Sequence, residues 1–156
     1  MILSGEGDLP WGVVVWASID DVDRFDDATK EHWRAEGVLH VPNARTGQLH
    51  PMSLAALEEV ERDPQRFDIL SSVERLQVPL LIVHGTDDAA VEPEAAERIA
   101  GRAPEGELLL IEGTGHAMGA SHPCPAIESI PTLHRAVEAT LDFIDRLGGD
   151  RERADA

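Results

Sequence analysis

Residues 78–91, Val-Pro-Leu-Leu-Ile-Val-His-Gly-Thr-Asp-Asp-Ala-Ala-Val, and residues 111–119, Ile-Glu-Gly-Thr-Gly-His-Ala-Met-Gly, decide the fold. Each begins in or closes an apolar run and passes into a glycine-bearing loop that carries a reactive side chain, first a carboxylate and then an imidazole. The runs Pro79–His84 and Glu107–Ile111 have the length and β-branched content of buried strands. Between them, Glu92–Gly101 opens on Pro93 and reads as a helix. Strand, helix, strand with continuously apolar strands means a parallel sheet covered by helices. Parallel strands release their following loops at one end of the sheet, where open α/β sheets place their ligands. An acid and a base delivered to that end are two thirds of a hydrolytic triad.

Working outward, Trp11–Ala17 (WGVVVWA) is a third buried strand, bounded by Pro10 and the pair Asp20-Asp21. Asp26–Glu36 is expected to be helical, with Gly37 as its stop, and 38–51 to be irregular. Pro51-Met-Ser-Leu opens a helix reaching Glu61 with Ser53 as N-cap, and Asp63-Pro64 ends it before a shorter helix over Pro64–Leu70. Pro131–Leu147 carries an apolar helical stripe at Leu133, Val137, Leu141, Ile144 and Leu147. The expected organisation is one domain over 1–147 and a flexible charged tail over 148–156. The roughly 60 residues between the first and second strands exceed an ordinary crossover. They imply a lid-like insertion at about 20–76.

The chain has 156 residues, 42 % of them hydrophobic, which suits one globular domain. A formal net charge of −17 sets it against nucleic acid and anionic membranes, whose fields would repel it. Cys124 is the single cysteine, which excludes an internal disulfide and a thiolate metal cluster. No basic-then-apolar leader and no membrane-length apolar run is present, so a cytoplasmic location is the expectation.

Taken singly, the site residues have ordinary readings. Asp87-Asp88 could cap a turn or the next helix, and His116 could be a solvated loop histidine. Their joint placement after consecutive strands is what favours chemistry. The stretch from Trp16 to Pro123 resembles the C-terminal half of an α/β-hydrolase, nearest the dienelactone-hydrolase-like and prolyl-oligopeptidase-like branch. The matching segments are VPLLIVHGTDDAAVEP, IEGTGHAMGASHP and EGVLHVPNARTGQLHP. The resemblance implies a partial α/β-hydrolase fold of three parallel strands flanked by helices. It selects Asp88 over Asp87, because the family acid lies three residues after the glycine of the His-Gly motif. It makes His116 the base and implies a small acyl substrate for the complete enzyme: an ester, a thioester or a peptide-like carbonyl. No cofactor and no metal are implied. Asn43 and Arg45, with Thr46, are candidate substrate-binding residues in the insertion.

In this fold the order is nucleophile, acid, histidine, with the nucleophile on a Gly-x-Ser-x-Gly elbow. The chain contains no such motif. Ser4 has no preceding strand, Ser18 lies in Trp-Ala-Ser-Ile-Asp, Ser71 and Ser72 precede the acid strand without an elbow, and Cys124 follows the histidine. The expectation is a hydrolase portion inactive by itself. Alternatives are one half of a split enzyme completed by a partner chain, and a non-catalytic acidic interaction module. A metal site from His84, Asp88, His116 and His122 fits no known ligand spacing. In the intact fold the strand at 11–17 pairs with a preceding strand that this sequence lacks. Its open edge is therefore a docking edge for a complementing chain or a second copy.

Overall fold

A computed structural model describes residues 10–43, 47–121 and 123–154, with side chains through residue 149. In chain order the elements are β1 (Val13–Trp16), α1 (Asp27–Glu36), β2 (Val38–Pro42), β3 (Leu49–Ser53), α2 (Leu54–Arg62), α3 (Ile69–Glu74), β4 (Leu80–Gly85), α4 (Pro93–Arg102), β5 (Gly106–Ile111) and α5 (Pro131–Ala154), with a short 3₁₀ turn over Ile127–Ser129. They form two units, one of residues 1–20 and 70–156 and the other of residues 21–69.

In the first unit the three expected strands form a parallel sheet in the order β1-β4-β5. All six residues of the central strand β4 are buried. Alternation along it splits the core in two, as the period of two demands. Leu81 and Val83 pack with Ile111, Met118, Ala136 and Phe143, beneath α5. Leu80 and Ile82 point the other way, onto Ala96 and Ile99 of α4 and Leu70 and Val73 of α3. The sheet is thus covered on both faces, the condition that makes its central strand continuously apolar.

The register sets the site. Gly85 pairs with Ile111, so β4 and β5 end level and their loops leave side by side. Thr86 N–H donates to Ile111 O at 3.0 Å, Asp87 N–H to Thr114 O at 3.0 Å, and Gly113 N–H to Thr86 Oγ1 at 2.9 Å. Gly85 is required by this lacing: a Cβ there would lie 2.1 Å from Thr114 O.

The second unit is a hairpin with two helices. Asp26 caps α1 by accepting from Thr29 N–H at 2.7 Å, and Gly37, at φ 73°, ends it in the left-handed region. Ser53 caps α2, as expected, accepting from Ala55 N–H at 3.3 Å. Residues 38–51, expected to be irregular, instead lie in an antiparallel ribbon that pairs Val38 with Ser53 through Pro42 with Leu49. Pro42 and Pro51 mask the alternation in the sequence, yet a two-stranded ribbon has only edge strands, where proline is tolerated. Its turn closes by Asn43 N–H to Gln48 O and Gly47 N–H to Asn43 O, both 2.8 Å, with Gly47 at φ 69°.

Two further expectations shift. The short helix placed at Pro64–Leu70 lies at Ile69–Glu74, and hydrogen-bonded turns occupy 64–67. The last helix, expected to stop at Leu147 before a flexible tail, continues through Gly148 and Gly149 to Ala154. Glycine weakens a helix but keeps its N–H, and no proline follows to break it.

Two glycines give opposite tests. Gly85→Ala is expected to destabilise the chain by about 1–3 kcal/mol in urea unfolding, as overpacking against backbone does. Gly101→Ala, in α4 with nothing within 4 Å of the added Cβ, is expected to stabilise it by about 0.5–1 kcal/mol. Equal effects would contradict the lacing of the two loops.

Candidate functional site

Asp88 follows β4 in a tight turn, its N–H donating to Gly85 O at 3.3 Å. Its carboxylate then folds back on the chain. Oδ1 accepts from Ala90 N–H at 2.9 Å and from Val91 N–H at 3.0 Å, a side-chain turn of the kind aspartate favours. Oδ2 lies 2.9 Å from His116 Nδ1 and 3.3 Å from His84 Nε2. Asp88 is buried, whereas neighbouring Asp87 is exposed and accepts from the Thr86 hydroxyl at 3.2 Å. The choice of Asp88 over Asp87, made above by resemblance alone, thus has a physical counterpart in which carboxylate reaches the histidine.

His116 comes from the loop after β5. That loop is fixed at three points: Asp87 N–H to Thr114 O, Met118 N–H to Gly115 O at 3.0 Å, and the Thr132 hydroxyl of α5 to Met118 O at 2.8 Å. Met118 has a φ of 53°, unusual for a side chain of its size, and is held there by burial in the core beneath α5. With the loop anchored on both sides, the imidazole reaches Asp88 through Nδ1. Its side chain remains 54 % exposed, and Nε2 has no hydrogen-bond partner among the described residues. Since a carboxylate only accepts, Nδ1 is the donor, and in the neutral ring Nε2 then carries the lone pair. Such a ring is oriented to take a proton from a group placed against Nε2.

Burial by itself raises the carboxyl pKa of Asp88, but the Val91 amide, the His116 ring and the Ala90 amide together outweigh it. The net effect holds Asp88 below the usual carboxylate range, ionised at neutral pH. A depressed folded-state pKa stabilises the fold above the unfolded value of about 3.9, and that stabilisation is lost as pH falls through the folded value.

Of the other sequence candidates, Asn43 lies in the turn of the β2–β3 hairpin, its side-chain amide 3.4 Å from His50 Nε2, in the second unit. Arg45, Thr46 and His122 lie outside the described residues. Among the described serines, Ser18 donates to Ile19 O, Ser121 to Pro123 O and Ser129 to Ala126 O, each within its own loop or turn. No group of three metal-ligating side chains is arranged to hold an ion among the described residues. No helix among them is long and apolar enough to cross a membrane. The residue underweighted in the sequence is His84, fully buried at the end of β4 with Nε2 2.9 Å from Val91 O. Its signal was present: a lone polar side chain closing an otherwise apolar strand, four residues before the acid.

Residues 55–129 match the family of TAP-like proteins of the α/β-hydrolase class. The chain is 32 % identical over 94 residues to a non-heme chloroperoxidase of Streptomyces lividans, covering 60 % of this chain and 30 % of that protein. It is 32 % identical over 85 residues to a pimeloyl-acyl-carrier-protein methyl ester esterase of Aromatoleum aromaticum, covering 54 % of this chain and 33 % of that protein. The matches therefore span only about a third of these relatives' own length. Among solved structures, the mouse α/β-hydrolase domain-containing protein 10 superposes with a TM-score of 0.64 at 18 % identity, over 87 % of this chain and 52 % of that one. Est1E of Butyrivibrio proteoclasticus superposes with a TM-score of 0.56 at 20 % identity, over 89 % of this chain and 51 % of that one. The fold is that of an α/β-hydrolase, represented by about half of its length.

The stability difference between wild type and Asp88→Asn should follow the sign derived above. It should be full above about pH 5 and shrink as pH falls below about 4. Urea unfolding at a series of pH values reads it, and a gap independent of pH would contradict an ionised, paired Asp88.

Proposed function

We propose that this chain is the acid-and-histidine portion of a serine-type α/β-hydrolase acting on ester, thioester or peptide-like carbonyls. The observation that carries this reading is the 2.9 Å contact between His116 Nδ1 and Asp88 Oδ2 on loops from adjacent parallel strands, with the rest of the imidazole exposed. In the chemistry proposed, a serine hydroxyl placed at His116 Nε2 attacks the acyl carbon, and Nε2 takes its proton. Asp88 holds the ring and stabilises the imidazolium. The same proton then passes to the leaving group as the acyl-enzyme forms, and water, deprotonated by His116, releases the acid and restores the serine.

The serine must come from a segment other than these residues. The strand–Gly-x-Ser-x-Gly–helix unit precedes the acid in this fold, and no such motif occurs in the 156 residues. The oxyanion hole would be missing with it, because one of its N–H groups belongs to the residue after the nucleophile. The outer edge of β1, unpaired among the described residues, supports this reading, since a strand carrying the nucleophile could pair there. Trp16 is partly exposed in β1, as are Leu141 and Ile144 on α5, surfaces that a further layer would cover. Within the class, the wording of residues 78–93 favours the dienelactone-hydrolase-like branch, while the family match favours TAP-like proteins. Both readings leave the roles of Asp88 and His116 unchanged.

A serine-directed fluorophosphonate tests the reading. The 156-residue chain alone should take up no label. Mixed or fused with the strand–elbow–helix segment encoded upstream or in a neighbouring frame, the serine of that segment should be labelled. Labelling of this chain by itself would overturn the proposal.

A further inference from the structure

His84 has no part in the chemistry above, yet it is fully buried at the end of β4 against the candidate acid. Its Nε2 lies 2.9 Å from Val91 O and 3.3 Å from Asp88 Oδ2, while Nδ1 has no hydrogen-bond partner. Two facts fix where its hydrogen sits. Both neighbours of Nε2 are acceptors, so a lone pair there would face two oxygens. A hydrogen on Nδ1 would be a buried donor with nothing to receive it, the costlier way to leave a polar atom unpaired. The hydrogen therefore lies on Nε2 and is donated to Val91 O, with Asp88 Oδ2 a charged neighbour 3.3 Å away.

The same residue, Val91, is gripped from both sides. Its N–H donates to Asp88 Oδ1 and its carbonyl accepts from His84, so the imidazole joins the strand end to the far side of the acid loop. Oδ1 is occupied by two amides, and Oδ2 accepts from His116 with the His84 ring 3.3 Å away. We infer that His84 is a positioning residue for the acid. Its Nε2–H holds Val91 O while the Val91 N–H holds Asp88 Oδ1, so that Oδ2 stays aimed at His116 and keeps His116 in the form whose Nε2 is an open acceptor. This role rests on Asp88 and His116 forming an acid–base pair. Without the His84 donor, Val91 would be held from one side alone, and Oδ2, whose hydrogen-bond partner among the described residues is the exposed His116, would lose its fixed aim.

Long-range proton–nitrogen correlation spectra of the full chain labelled with ¹⁵N-histidine, at about pH 8 and so above the ordinary histidine range, read both rings. In the wild type, His84 should show the Nε2–H pattern and His116 the Nδ1–H pattern. An Nδ1–H pattern at His84 would overturn the inference by itself, whatever the variants do. His84→Gln, whose amide can replace the Nε2–H, should keep His116 in the Nδ1–H form. His84→Met should release His116 into a mixture richer in Nε2–H. A His116 ring unchanged in His84→Met would also overturn the positioning role. Asp88→Ala separates the two levels: it should release His116 as well, and a His116 that stays Nδ1–H there would refute the acid–base pair instead.

Discussion

A buried carboxylate governs this structure. Asp88 is carried by the end of β4 to a position sealed from water, where an ionised group is tolerated only if its lone pairs are filled. The amides of Ala90 and Val91 and the ring of His116 fill them, with the His84 ring 3.3 Å from Oδ2. Much of the local architecture follows. The loop must turn at once so that its own amides can reach back to Oδ1. Gly85 must lack a side chain so that the histidine loop can lie against it. That loop must be anchored, through the left-handed Met118 and the Thr132 hydroxyl, closely enough to present Nδ1 rather than Nε2.

The sheet makes this arrangement reachable. Parallel pairing with Gly85 opposite Ile111 brings both loops out level, and the two halves of the core lock β4 from either face. What the sheet does not supply is equally informative. β1 presents an outer edge with no strand beside it among the described residues, and the chain spans only part of the length of the relatives and solved folds it matches. The paired Asp88 and His116, the open sheet edge and the absence of a Gly-x-Ser-x-Gly motif from these residues are what support the proposed division of labour.

The sequence made the parallel sheet legible because its signals were strong and local. LLIVHG is too short and too apolar for anything but a buried strand, and Pro93 and Gly37 punctuate their helices where helix ends require. The convergence of Asp88 and His116 was legible through their matched strand-end positions. The choice of Asp88 over Asp87 came from the spacing of the family motif alone; residue chemistry left it open, since it turns on which carboxylate the turn buries. The hairpin over 38–53 was hidden by two prolines that a wider sheet would reject, and its pairing depends on a turn whose closure no residue pattern announces. The extension of α5 past two glycines was hidden because composition there favours a frayed end. His84 was visible as an oddity, but its meaning depends on a contact with Val91 that only the fold creates.

The most direct test of the central claim is ester hydrolysis by this chain joined to the strand–elbow–helix segment, measured with and without the His116 ring. If His116 is the base held by Asp88, His116→Ala should cut turnover by at least about a thousand-fold and up to about a million-fold, while the chain remains folded. Hydrolysis that persists within a few-fold of the unmodified pair would contradict the account.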